Sequence, residues 1–140
     1  VKPARSGELA QAIDLFPTIA AAAELRTPDA LPGINLMDAA ARKDRKRIFG
    51  VCHSTHNMTP GNPADTRQYL WCVEGDWKAI VRYQGQDTTK YVNLHVWDQV
   101  PVRLYNLKND PHEQNDLAAE QPETAERLKK RIEEWRKSAG

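Results

Sequence analysis

The chain has 140 residues, which suits one compact domain and leaves too little for two independent cores. Its 20 Lys and Arg against 19 Asp and Glu give a formal charge of +1, so no global field draws it to nucleic acid or to an anionic membrane. The longest nearly apolar stretch, LFPTIAAAAEL at 15–25, is too short to cross the roughly 30 Å hydrocarbon layer of a bilayer. Neither nucleic acid nor membrane is therefore expected as a partner.

The chain opens at Val1-Lys2-Pro3 with no initiator methionine or leader, which reads as a cut through a longer protein. Asp14 stands where an N-cap would, Pro17 falls in the first turn, and four alanines follow, predicting a helix over about 14–25. Leu15, Ile19 and Ala22 or Ala23 form its apolar stripe. Thr27-Pro28 and Leu31-Pro32-Gly33 are expected to end it, with a loop running to about Ala41. The run RKDRKR at 42–47 reads as a solvated flank of a strand built on IFGVC at 48–52.

Residues 56–66 are rich in Pro, Gly, Asn and Asp and predict a loop. The runs 68–73 and 77–83 flank Glu74-Gly75-Asp76 and predict a hairpin. Tyr69, Trp71 and Val73 then share one face, and Leu70 and Cys72 the other. A weaker strand or loop is expected at 91–97 and a stronger strand at 102–107, just past Pro101. Residues 121–137 carry helix punctuation, with Pro122 and Glu123 at the start, Arg136 and Lys137 at the end, and Leu128, Ile132 and Trp135 on one face. The expected fold class is α+β, a mostly antiparallel sheet of about four strands packed against a C-terminal helix.

Several residues carry chemistry. Cys52 and Cys72 lack any zinc spacing, and the even count leaves a disulfide between them open. His53 and His56 stand three apart, so on a continuous strand they face opposite sides and hold one ion only if the chain turns between them. Further ligands such as His95 or His112 would have to come from the tertiary fold. His53, Ser54 and Asn57 can equally satisfy backbone groups at a strand end. Asp110 and Glu113, beside Pro111, suit capping of a turn better than paired acid–base work. Trp71, Trp77 and Trp135 suit a core, with Trp97 alone in an irregular segment.

The segment LYNLKNDPHEQNDLA at 104–118 resembles the L-Y-D-L-x-x-D-P-x-E-x-x-N-L-A stretch near the C-terminus of sulfatases. Leu104, Tyr105, Leu107, Asp110, Pro111, Glu113, Leu117 and Ala118 match it, while Asn106 and Asp116 depart and keep hydrogen-bonding capacity. In the family's order, IDLFPTIAAAAEL resembles its V-D-L-x-P-T-L helix, LPGINLMD its x-x-G-x-S-L loop, and GDWKAIVRY its G-x-Y-K-L-I strand, with Ala79 in place of leucine. The resemblance runs from about Ile13 to Trp135 and points to the branch similar to N-sulfoglucosamine sulfohydrolase, in the alkaline-phosphatase superfamily.

That resemblance implies that residues 1–41, helix and loop, are the end of a large α/β sulfatase domain and that 42–140 are its C-terminal subdomain. The catalytic domain of the same polypeptide would be the partner, and a sulfated sugar or aryl sulfate the parent's substrate. The family's Ca²⁺ and formylglycine are implied for the parent and not expected in this chain, which has no C/S-x-P-x-R motif and no Asp-Asp pair. No catalytic or metal-binding residue is therefore assigned, and the isolated chain is expected to be inactive. The resemblance places His53, His56 and Asn57 near the mouth of the cleft as substrate-binding residues. A periplasmic or secreted parent is the expectation, and the severed helix would expose apolar surface, with either disorder before about Ile13 or self-association covering that face as the expected result. Two other readings stay open: a glycan- or protein-binding module using the basic run, and the C-terminal part of a related phosphonate or phosphate-ester hydrolase.

Overall fold

The computed structural model describes residues 6–28, 31–53, 67–83 and 100–138. The chain divides into two compact units, Val1–Ile48 and Phe49–Gly140.

In the first unit a single 3-10 turn, Ala12–Asp14, leads into helix α1, Leu15–Ala22. Pro17 lies in its first turn as predicted. The helix ends well before the prolines expected to stop it. The N–H of Leu25 donates to the carbonyl of Ala20 at 2.8 Å and that of Glu24 to Ala21 at 3.1 Å, the paired bonds of a Schellman turn. Glu24 supplies the left-handed residue, at φ +56°, where glycine is the usual occupant. Glu24→Gly is therefore expected to stabilise this unit by about 0.5–1 kcal/mol, relief of the side-chain penalty outweighing glycine's entropy. A lower urea midpoint for the variant would show that the strain is absent.

A second helix, α2, spans Ala39–Asp44 where a loop to about Ala41 was expected. Asp38 starts it by accepting from the N–H groups of Ala40 (2.8 Å) and Ala41 (3.2 Å). Arg42 and Lys43 sit in its last turn, beside the negative end of the helix dipole.

The second unit is built on a four-stranded antiparallel sheet in the order β1 (Arg47–His53), β2 (Arg67–Glu74), β3 (Trp77–Arg82), β4 (Val102–Asn106). The predicted hairpin joins β2 to β3 with Glu74 opposite Trp77 and Cys72 opposite Ala79. Gly75, at φ +59°, gives the tight turn its left-handed residue. β3 pairs in turn with β4, Ala79 opposite Leu104.

One face of the sheet packs against α3, Pro122–Ser138, through a cluster of Leu70, Cys72, Ala79, Leu104, Ala125, Leu128 and Ile132. Trp135 extends that face and stacks on Phe49 of β1 with ring centroids 5.1 Å apart. The apolar helix stripe and the alternation of β2 are thus the ones the sequence predicts, and the fold is α+β.

Candidate functional site

Of the three residues expected at the cleft, His53 is the last residue of β1 and is half-buried. By strand alternation it falls on the same face as Phe49 and Val51, both packed against the α3 cluster. His56 and Asn57 lie outside the described residues, as do Ser54, His95, Trp97, the loop expected at 56–66 and the segment 91–97.

Cys52 is exposed and Cys72 fully buried, and no disulfide joins them. Among the described residues, no group of three His, Cys, Asp or Glu side chains could hold a metal ion, and no helix is long and apolar enough to cross a membrane. Gly50 of β1 lies under the indole of Trp71, and a Cβ at that position would overlap the ring.

The segment after β4 shows what its carboxylates do. Asp110 accepts from the N–H of Asn115 at 2.8 Å, and this bond, with those from Gln114 and His112, holds its carboxyl below the usual carboxylate range. Asp116 accepts from the N–H groups of Leu104 and Ala118, both at 3.0 Å, tying the turn back to β4. Asn106 accepts from Lys108 and Asn109 in the same way. Glu113, at φ +56°, reaches across to the ammonium of Lys78 at 2.6 Å, and Lys78 also lies 5.8 Å from the ring centroid of Trp71. Asp110 therefore caps the turn as the sequence indicated, whereas the carboxylate of Glu113 pairs with Lys78 of β3 instead of capping the backbone.

In the first unit Asp14 is the chief surprise. It occupies the N-cap position of α1, yet its carboxylate does not cap that helix. It accepts from the N–H of Gln11 (2.7 Å) and of Ile34 (3.0 Å) and pairs with both terminal nitrogens of Arg45. Burial opposes the charge on this fully enclosed group, but Arg45 and the two N–H donors outweigh burial and hold its pKa below the ordinary aspartate value.

Thr18 donates to the carbonyl of Asp14 at 2.6 Å and accepts from the N–H of Leu36 at 2.8 Å. Gly33 presses on the carbonyl of Ile13, leaving no room for a side chain. Arg42 likewise pairs with Glu8 and donates to the carbonyl of Leu36 at 2.5 Å. Two arginines of the basic run are thus committed to intramolecular partners, which removes the main support for reading that run as a solvated binding surface. Sequence reasoning missed this network because its partners lie 20 or 31 residues apart.

No protein-family model matches the chain, and no curated protein does. Solved structures do. A structure from work on glycosaminoglycan metabolism by Bacteroides thetaiotaomicron (BT33336S-sulf) matches over 86% of this chain at 25% identity with a TM-score of 0.52. BT4656, solved in complex with its substrate D-glucosamine-2-N,6-O-disulfate, matches over 95% at 20% identity with a TM-score of 0.57. Ps i-CgsB matches over 91% at 20% identity with a TM-score of 0.60. The chain spans about a quarter of the length of each, 24%, 26% and 24%. These neighbours are sulfatases, so by fold the chain is sulfatase-related and consistent with a sulfatase C-terminal region.

Proposed function

We propose that this chain is the C-terminal part of a sulfatase, a hydrolase of sulfuric esters, in which it braces a catalytic domain of the same polypeptide and walls the substrate cleft. The likeness to BT4656, solved with a disulfated glucosamine, carries this reading and favours a sulfated sugar as the parent's substrate. The first unit adds support. Leu15, Phe16 and Ile19 project from α1 at 55%, 60% and 65% exposure, an apolar face suited to burial against a larger domain.

The described residues do not fit the family's calcium, and the sequence lacks the motif for its formylglycine. No described cluster offers converging oxygen ligands, and Cys52 is followed by His53 and Ser54 with no proline or arginine at the motif spacing. In this reading both groups belong to the catalytic domain. What this chain supplies is positioning: an imidazole at the end of β1, followed by His56 and Asn57, whose donors suit sugar hydroxyls and sulfate oxygens.

His53→Ala in the parent-length polypeptide is expected to lower kcat/KM for D-glucosamine-2-N,6-O-disulfate by about tenfold, near 1.4 kcal/mol, while an aryl sulfate, which lacks the sugar, loses much less. Unchanged kinetics on the sugar would remove His53 from the cleft. Turnover of either substrate by the isolated chain would refute the supporting role altogether.

A further inference from the structure

Helix α3 presents Lys129, Glu133 and Arg136 at steps of four and three, so the three side chains line one side of the helix. They edge a groove of about 360 Å³ walled also by Leu70, Val81, Pro101 and Ile132, with Arg82 as a third cation in its lining, a size within the range of small-molecule sites. Tyr83, at the end of the groove, has the guanidinium of Arg136 over its ring at 5.7 Å from the centroid and that of Arg67 at 5.8 Å. This cation–π contact holds Arg136 beside the groove, where its N–H groups can serve an acceptor. Among the described residues the ammonium of Lys129 pairs with Glu126, at 3.2 Å on the exposed side, an exchangeable surface pair.

We propose that this groove binds a monosaccharide bearing a single anionic group. The anion would bridge Lys129 and Arg136, and the apolar face of the sugar would lie on Val81 and Pro101. The carboxylate of Glu133, between the two cations, decides the class of ligand. It accepts from hydroxyls and repels dense negative charge, so it favours a singly charged sugar over a bare anion or a polyanion. This site lies apart from His53 in the sequence and goes beyond the cleft-wall role. It is measured on the chain alone without turnover, so it stands or falls separately from the sulfatase reading.

The test is an NMR titration of the full chain with glucose 6-sulfate, following Tyr83, Ile132 and Arg136. Saturable shifts at these residues are expected, and the double variant Lys129→Gln, Arg136→Gln should bind about tenfold more weakly or worse. Arg131→Gln, an exposed position of α3 paired with Glu134, should bind as the parent does. Glu133→Gln should weaken the sugar sulfate and tighten inorganic sulfate, opposite signs that a purely structural role for Glu133 would not produce. Glucuronic acid competing for the same shifts would extend the site to carboxylates and support it. Absence of shifts at millimolar sugar, indifference to the double variant, or stronger binding of inorganic sulfate or an acidic peptide than of the sugar would each overturn it.

Discussion

Asp14→Ala is expected to destabilise the first unit by about 3–5 kcal/mol, the cost of breaking a buried ion pair by removing one partner. Asp14 is fully buried and the side chain of Arg45 is only 9% exposed, so the cation left behind would be stranded together with the N–H groups of Gln11 and Ile34. Asp14→Asn keeps an acceptor for those donors and should cost less. Amide exchange of Ile34 and Leu36 reports the change directly, because both amides depend on this network.

The pH dependence follows from the direction of the shift. Since folding lowers the pKa of Asp14, its contribution is complete above about pH 4, the ordinary aspartate range, and is lost as pH falls through the lower folded value. The Asn variant should lose that acid-side slope. Parent and Asp14→Ala chains with equal exchange at Ile34 would show that the pair does not hold the loop.

The second unit was legible in the sequence because its signals are local and periodic. Alternation placed Leu70 and Cys72 on the core face, a glycine turn set the hairpin register, and the spacing of Leu128, Ile132 and Trp135 gave the helix face. The segment 104–118 was legible as a motif, and its structure explains why. Asp110, Asp116 and Asn106 each accept from backbone N–H groups of the turn or of β4.

The first unit was less legible because its determinants are tertiary. Asp14 has the residue type and position of a cap, but a stronger offer from Arg45 and the Ile34 N–H takes its carboxylate elsewhere. α2 was hidden because it is only six residues long, three alanines followed by Arg42, Lys43 and Asp44, and only Asp38 announces it. The end of α1 was misplaced because a glutamate occupies the position where glycine would have marked the stop. Of the expected cleft trio, His53 ends β1, while His56 and Asn57 lie outside the described residues. The groove beside α3 carried a signal in the spacing of Lys129, Glu133 and Arg136. That spacing equally describes any solvated helix face until Tyr83 and Pro101 are seen opposite it.

Leu128→Ala is expected to cost the second unit about 2–5 kcal/mol, towards the upper end. Leu128 is 0% exposed and sits in a cluster that includes Ala79 and Ala125, short side chains that cannot swing inward to refill the space. The neighbouring strands are fixed by their hydrogen-bonded register, so the backbone cannot close on the cavity either. By contrast, removing the surface pair of Lys129 with Glu126 should cost only a few tenths of a kcal/mol, because solvent screens both groups. For a unit of this size each lost kcal/mol lowers Tm by about 4–8 °C, so calorimetry separates the two variants easily. Leu128→Met, which conserves volume, should fall between them. If Leu128→Ala and the Lys129 variant melted together, α3 would not be held by its apolar face, and the groove beside it would lose the rigid wall on which any ligand contact depends.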